Sequence, residues 1–252
     1  MSARDIPLRV AVVAICVVSA LPAAAQTVPH FYVRADAGWS RSVDGNFQDV
    51  NFPADHVITG TGGTKGVLKD YGGAWLLGAG LGMQFSPRFR GDVVYTYRGT
   101  YRLDEFDQAP LPNSFRANVT SHSVMLTGYA DFPILDSGVT PFIGAGIGWA
   151  SNTLDSLSWQ PTSTANITPA LRVAPGATAD GFAWQLTVGV SFLLSNVLAL
   201  DFSYKYFDGG DVRSGAGNIF ANGVAIETYS GAHGAFVSDE ITASIRYHFG
   251  SL

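Results

Sequence analysis

The sequence contains one cysteine, Cys16, among 252 residues, and it lies in the N-terminal apolar stretch. The rest of the chain therefore has no disulfide to stabilise it and no thiol for catalysis. Charged residues are also scarce, at 14% of the chain, and the formal net charge is −5. A mildly acidic chain without a basic run lacks the composition of a nucleic-acid-binding protein.

Long apolar runs are missing too. A membrane-spanning helix needs about 20 apolar residues, and the chain after residue 25 contains no such run. The N-terminal run, residues 10–21, is too short to span comfortably; Arg4 and Arg9 precede it, and Pro22-Ala23-Ala24-Ala25 follows. A basic start, a short apolar stretch and a small-residue site are typical of a secretory signal peptide. We therefore predict a signal peptide at residues 1–25 and one mature domain at residues 26–252.

The chain is rich in alternating patterns. Residues 74–85 alternate between a mainly bulky apolar face and a face that carries Gly78, Gly80 and Gly82. Residues 90–101 alternate between polar positions and an apolar face that includes Tyr95, Tyr97 and Tyr101, and the turn Ser86-Pro87-Arg88 joins the two runs. A period of two predicts strands, and two such runs across a tight turn predict a hairpin. Each run is long enough to cross a membrane as a tilted strand, which takes about 9–11 residues.

The same alternation recurs along the chain and predicts eight strands. Long loops are expected near residues 40–71, 102–117, 151–180 and 208–237, and short turns near 86–88, 133–138 and 195–196. Alternating long and short connections are typical of outer-membrane barrels, whose backbone polar groups must all be paired within a closed sheet. The predicted fold is all-β, an eight-stranded antiparallel up-and-down transmembrane β-barrel.

Aromatic residues mark both ends of the predicted strands. A tryptophan set falls at the long-loop ends and a phenylalanine set at the short-turn ends, as expected for two membrane interfaces. The predicted girdles consist of Trp39, Trp75, Trp149 and Trp184 on one side and Phe31, Phe85, Phe132, Phe192 and Phe249 on the other.

The opposite faces of the strands carry balanced charge. Five cations and five anions are predicted to point into the lumen: Arg34, Asp36, Arg90, Asp92, Arg98, Asp131, Asp201, Lys205, Glu240 and Arg246. Unpaired buried charges are costly, and the interior of eight strands is just filled by side chains. We therefore expect a charge network that plugs the lumen; a narrow pore lined by the same charges is the alternative.

Motifs for enzymatic chemistry are weak. The glycine rows 78–82 and 144–148 lie within predicted strands with no helix after them, so they predict no phosphate site. His122 lies between Ser121 and Ser123 near the outer end of a strand, and a lipid-modifying hydrolase is a further alternative. Neighbours on a strand point to opposite faces, so such an enzyme would need a partner for His122 from another strand. We expect no catalytic residues, cofactor or metal; the loop acids (Asp104, Glu105 and Asp107; Asp208 and Asp211) are expected to be solvated.

The strand segments together resemble a known family. FYVRADAGWS (31–40), GLGMQFSPRFRGDVVYTYRG (80–99), VMLTGYADFP (124–133), TPFIGAGIGWA (140–150), FAWQLTVGVSF (182–192), LALDFSYKYF (198–207) and ITASIRYHFG (241–250) are similar to the small outer-membrane β-barrels of alphaproteobacteria. That family includes opacity-like surface proteins, outer-membrane immunogenic antigens and relatives of the OmpA barrel domain. The resemblance implies insertion by the barrel-assembly machinery and roles in envelope integrity, antigenicity, adhesion or ligand capture, sometimes haem binding.

The predicted function is therefore structural and surface-interactive, without catalysis. The predicted location is the outer membrane of a Gram-negative bacterium, after removal of the signal peptide. The expected partners are outer-membrane lipid and lipopolysaccharide, the barrel-assembly machinery during insertion, and a host or extracellular ligand at the loops.

Overall fold

A computed structural model describes residues 30–44, 48–49, 72–107, 113–135, 137–161, 171–221, 224–229 and 231–250. The predicted signal peptide lies outside these residues. Eight long strands dominate the described part: β1 (His30–Asp44), β2 (Gly73–Ser86), β3 (Phe89–Asp107), β4 (Asn113–Asp131), β5 (Val139–Pro161), β6 (Leu171–Ser195), β7 (Leu198–Arg213) and β8 (Ala232–His248). Three short strands, Gln48–Asp49, Gly217–Ala221 and Val224–Tyr229, pair at the end that carries the long connections.

The eight long strands close into an antiparallel barrel. Each strand pairs with the next along the chain, and β8 pairs with both β7 and β1. Closure rests on a long register that joins Tyr32 to His248 and Trp39 to Ile241. This up-and-down barrel is the predicted fold. No helix in the described residues has the length and apolar character needed to cross a membrane.

Alternating burial follows the alternating sequence. Along β2 and β3, Leu77, Leu81 and Val93 have roughly half or more of their surface exposed on the outside, whereas Val94 and Thr96 are buried inside. Small inward residues leave room for large inward neighbours. An added Cβ at Gly82 would lie 2.2 Å from the Tyr32 ring, and one at Gly144 would lie 2.5 Å from the Tyr129 ring. Glycine is thus required at these inner positions because the aromatic rings lie directly against the backbone.

The predicted loop limits were too wide. Strand pairing continues through residues 40–44, 102–107, 113–117, 151–161, 171–180 and 208–213, all assigned to loops from the sequence. Above the level of the tryptophans, the outer face meets water or lipid headgroups and no longer needs apolar residues. The alternation that marks a membrane strand therefore fades, while the backbone pairing persists.

Tyr101 was predicted on the outer, apolar face and is instead fully buried inside the barrel. The β3–β4 register changes between Arg98 and Tyr101: Arg98 pairs with Ser121, but Tyr101 pairs with Val119. The extra residue of this β-bulge reverses the faces of all later residues in the strand. The phenol therefore points into the lumen.

Candidate functional site

The lumen holds all ten charged residues predicted to face it, and each is at most 6% exposed. Every one of the ten takes part in at least one ion pair inside the barrel. The pairs form three groups along the barrel axis. They are described below from the short-turn end towards the long-connection end.

The first group joins two arginines to two aspartates. The Arg246 guanidinium donates from Nε and Nη2 to both carboxylate oxygens of Asp201, at 2.7 and 3.0 Å, and Nη2 also donates to Ser191. The Arg90 Nε donates to both oxygens of Asp131 at 3.1 Å, and its Nη1 lies 3.6 Å from Asp201. Asp201 therefore links the two arginines.

The Arg90 guanidinium also packs between rings. It lies 4.2 Å from the centroid of Tyr129 and 4.6 Å from that of Phe142. Within the described residues, neither Nη1 nor Nη2 has a hydrogen-bond partner. Cation–π contacts with the two rings therefore help to stabilise this buried charge.

The second group centres on Arg34. Its Nη1 donates to Asp92 at 2.7 Å and to the Tyr129 hydroxyl at 3.0 Å, while its Nε donates to Asp36 at 2.9 Å. Asp36 in turn lies 3.7 Å from the Lys205 ammonium. Residues from β1, β3, β4 and β7 thus meet across the lumen.

The third group pairs Arg98 with Glu240. The Arg98 Nε donates to Glu240 Oε1 at 2.6 Å, and Ser40 and Ser238 donate to the same oxygen. Arg98 also donates to Ser123 at 2.8 Å. Its guanidinium lies 3.7 Å from the centroid of Phe207, where the charged part of the lumen meets an apolar part.

An apolar cluster fills the lumen beyond Arg98. The Tyr101 and Phe236 rings meet edge to face at 5.1 Å, and Phe236 lies 6.3 Å from Phe207. The Tyr101 phenol is fully buried in this cluster. The other members are Ala74, Ala117, Val119, Met125, Ala150, Leu154, Ala174, Ala183 and Val212.

Sequence reasoning missed this cluster because much of it lies in the ranges assigned to loops. One signal was available. Ala117 and Val119 keep the parity of Ser121 and Ser123, so continuing the inner face of β4 past residue 118 would have placed both inside. The positions of Tyr101 and Phe236 depend on the bulge and on register shifts that the sequence does not reveal.

The short-turn end of the lumen contains a cavity of about 260 Å³. Its lining includes His30, Gln84, Asp131, Ser191 and Arg246. The two charged groups at its inner end, Asp131 and Arg246, already pair with Arg90 and Asp201. The cavity therefore ends at the charge network.

His122 does not face its serine neighbours. Its Nδ1 lies 2.6 Å from the Tyr95 hydroxyl on the outer surface, whereas Ser121 and Ser123 are buried in the lumen. A strand points successive side chains to opposite faces, so His122 pairs with neither neighbouring serine, as the sequence already indicates. Among the described residues, no group of three or more His, Cys, Asp or Glu side chains is placed to hold a metal ion.

The nine predicted girdle residues occupy outer positions. Trp39, Trp75 and Trp149 are about half exposed, and Trp184 packs against Tyr206 at 5.4 Å. The four lie towards the long-connection side of the barrel, and β5 and β6 extend beyond Trp149 and Trp184 on that side. The phenylalanines Phe31, Phe85, Phe132, Phe192 and Phe249 lie at the short-turn end, where Phe192 meets Phe202 edge to face.

Comparison with known proteins gives the family. The model of the outer membrane protein beta-barrel domain matches residues 10–249. The chain belongs to this family. It is therefore a β-barrel protein of the Gram-negative outer membrane, and the short turns face the periplasm, as in other bacterial barrels.

Individual relatives are distant. The outer membrane protein PagN of Salmonella typhimurium is 25% identical, with 94% of this chain and 96% of PagN covered. The crystal structure of OprG from Pseudomonas aeruginosa is 9% identical with a TM-score of 0.50, covering 90% of this chain and 99% of OprG. Neisserial surface protein A is 16% identical with a TM-score of 0.47, covering 88% of this chain and 99% of that protein. The OprG structure shows likeness of fold alone.

Proposed function

We propose that this chain is a structural and surface-interaction protein whose closed barrel presents its long connections rigidly at the cell surface. The observation that supports this most strongly is the filled lumen, with three groups of ion pairs below an apolar cluster. A barrel filled along its axis has no continuous water path. Its exposed function then belongs to the outer surface and the extracellular end.

The surface role in this proposal covers adhesion, antigenicity or capture of a host or extracellular ligand, together with envelope integrity. The strands support it, because β5 and β6 reach 23 and 25 residues, well past the roughly 9–11 that a membrane crossing requires. The proposal also includes the finer grouping with the opacity-like and immunogenic surface antigens of alphaproteobacteria. That grouping is supported by the strand segments quoted above.

Absence of catalysis is part of the same proposal. It is supported by the outward position of His122, which separates it from both neighbouring serines. The remaining alternative is a narrow channel for small solutes. The cavity at the short-turn end favours it, because a cavity lined by polar groups suits a water-filled vestibule.

Single-channel recording in a planar bilayer separates the two functions. The refolded protein is first shown to be folded by its different gel mobility before and after boiling. The proposal predicts a quiet bilayer, and an Arg98→Ser/Phe236→Ala variant that empties the lumen at two depths is expected to conduct. Steady conductance by the unaltered protein would contradict the closed barrel and would support the channel function instead.

A further inference from the structure

The short turns at the periplasmic end differ in polarity. The β2–β3 turn carries the exposed Arg88, and the β6–β7 turn carries the exposed Ser195 and Asn196. The β4–β5 turn instead presents Ile134 and Leu135, which are 54% and 90% exposed. Two adjacent large apolar side chains are unfavourable in water, which indicates that this turn meets a different medium.

The exposure of Leu135 belongs to a well-defined turn. The Ser137 hydroxyl donates to the Ile134 carbonyl at 2.9 Å, and the Ser137 amide donates to the same oxygen at 3.3 Å. The Val139 amide donates to Ser137 Oγ at 3.1 Å. Gly138 has a φ of 66°, a conformation that favours glycine. The sequence therefore specifies a turn that leaves a leucine uncovered at its tip.

The apolar side chains of this turn continue the lipid-facing surface of the barrel. The Phe132 amide donates to the Pro141 carbonyl at 2.8 Å. The Ile134 amide donates to the Val139 carbonyl at 3.2 Å, so the β4–β5 register extends into the turn. Alternate residues of a strand share a face, which places Ile134 on the outer side with Phe132. Val139 is aligned with Phe192 of β6, so the apolar belt continues past the phenylalanines on this side.

The hydrogen bonding of the turn suits contact with lipid. The amide and carbonyl of Ile134 both have partners within the turn, and so do the amide and hydroxyl of Ser137. Paired polar groups lower the cost of leaving water. Asp136, which lies outside the described residues, is the one charged residue of the segment 132–139. This composition suits the boundary between headgroups and acyl chains, where apolar side chains are buried and a charge can stay in water.

The turn is attached to the two longest strands of the barrel. It leads directly into β5, which has 23 residues. The Gly138 carbonyl accepts a hydrogen bond of 3.1 Å from the Leu193 amide of β6, which has 25 residues. A surface that holds this turn therefore also fixes the height of β5 and β6.

We propose that the β4–β5 turn is a lipid anchor. The side chains of Ile134 and Leu135 insert into the phospholipid leaflet on the periplasmic side, and this contact sets the depth of β5 and β6 in the membrane. Continuity with the lipid-facing surface selects phospholipid over a soluble periplasmic protein or a second copy of the chain. The other two short turns, which are polar or positively charged, remain in the aqueous periplasm.

Fluorescence quenching in lipid nanodiscs tests the anchor, because both faces of a nanodisc are open to an aqueous quencher. The chain from Gln26 onwards has no cysteine, so Leu135→Cys and the matched control Arg88→Cys each carry a single polarity-sensitive probe. The probe at residue 135 is expected to lose emission to a phospholipid with a nitroxide near its glycerol backbone and to be protected from iodide. The probe at residue 88 should show the reverse. Adding Ile134→Ser to the labelled Leu135→Cys variant should reduce the lipid quenching, because less apolar surface then holds the turn.

Three results would overturn the proposal. Equal quenching by iodide at residues 135 and 88 would place the tip in water, where a soluble partner could reach it. Protection of residue 135 from both quenchers would mean that protein, such as a second copy of the chain, covers the turn. Equal lipid quenching with and without Ile134→Ser would mean that the probe, and not the turn, enters the lipid. Gel mobility before and after boiling confirms folding of each variant, and the result does not depend on whether the lumen conducts.

Discussion

At the residue scale, the charged side chains in the lumen form ion pairs because a buried charge without a partner has a high desolvation cost. Arg98 and Glu240 are each at most 1% exposed, and Glu240 Oε1 accepts three hydrogen bonds. Desolvation opposes the attraction between such charges, so the intact pair adds little net stability. Removing one partner has a different effect, because it leaves the other buried and unpaired.

Arg98→Met should therefore destabilise the barrel by roughly 3–5 kcal/mol. Replacing both partners, in Arg98→Met/Glu240→Gln, should restore much of that loss because no buried charge remains. Urea titration of the refolded protein in lipid vesicles measures both variants. A double variant that is less stable than Arg98→Met would show that the pair itself stabilises the fold.

On the outer face, by contrast, single residues that meet lipid must be apolar and uncharged. Leu81 and Val188 are 68% and 52% exposed near the middle of their strands, where they meet lipid. Leu81→Arg or Val188→Arg should each cost roughly 2–4 kcal/mol in lipid vesicles. Leu81→Met serves as the control for side-chain shape and should be nearly neutral. Unchanged stability of both arginine variants would mean that the two faces of the barrel are inverted.

Residue parity made the inner and outer sets of this barrel predictable from sequence, since one side of each strand must suit lipid. The choice of partners was not predictable. Arg34 bonds to Asp36 on its own strand and to Asp92 on β3, which depends on side-chain direction and strand stagger. Tyr101 was misplaced because one bulge, invisible in the sequence, reverses the parity that follows it.

At the scale of the strand, inner glycines set the space that inner aromatics occupy. Tyr32 lies against Gly82 on the neighbouring strand and donates from its hydroxyl to Asp92 at 3.1 Å. The sequence shows the glycine row 78–82 but not which ring covers it. That pairing follows from the register between β1 and β2.

Gly82→Ala should destabilise the barrel by roughly 1–3 kcal/mol, because the new methyl group overlaps the Tyr32 ring. Gly128→Ala is the matched control: it is also a strand glycine, and in the described part of the chain no atom lies within 4 Å of its added Cβ. Its stability in urea should match the unaltered protein. An equal loss of stability in both variants would contradict the steric explanation. It would mean that replacing any strand glycine has this effect through the backbone.

The upper ends of the strands were the least predictable elements. Residues 151–161 and 171–180 pair in register from Ser151–Asp180 to Trp159–Arg172, yet their composition reads as a polar loop. Backbone hydrogen bonds between the strands stabilise this extension. Burial of side chains on the outer face does not contribute to it. Alternation is a reliable signal only where the two faces meet different surroundings.

At the scale of the whole molecule, the barrel is closed by its sheet, and we propose that its contents close it as well. The β1–β8 pairing removes the exposed edges, and the interior is filled by charges towards the periplasm and by aromatic and aliphatic groups towards the outside. Family membership fixes the outer-membrane location. Water and small solutes are therefore expected not to enter the lumen from the cell surface.

Thiol accessibility tests that claim directly, because the chain from Gln26 onwards has no cysteine of its own. Ser121 is fully buried between Arg98 and the apolar cluster, and among the described residues its hydroxyl has no hydrogen-bond partner, so Ser121→Cys should fold normally. Asn118→Cys, exposed on the outer face of the same strand, is the control. With a membrane-impermeant maleimide, a closed lumen predicts rapid labelling at residue 118 and none at residue 121 until the barrel is unfolded. Labelling of the folded protein at both positions at similar rates would contradict a closed lumen.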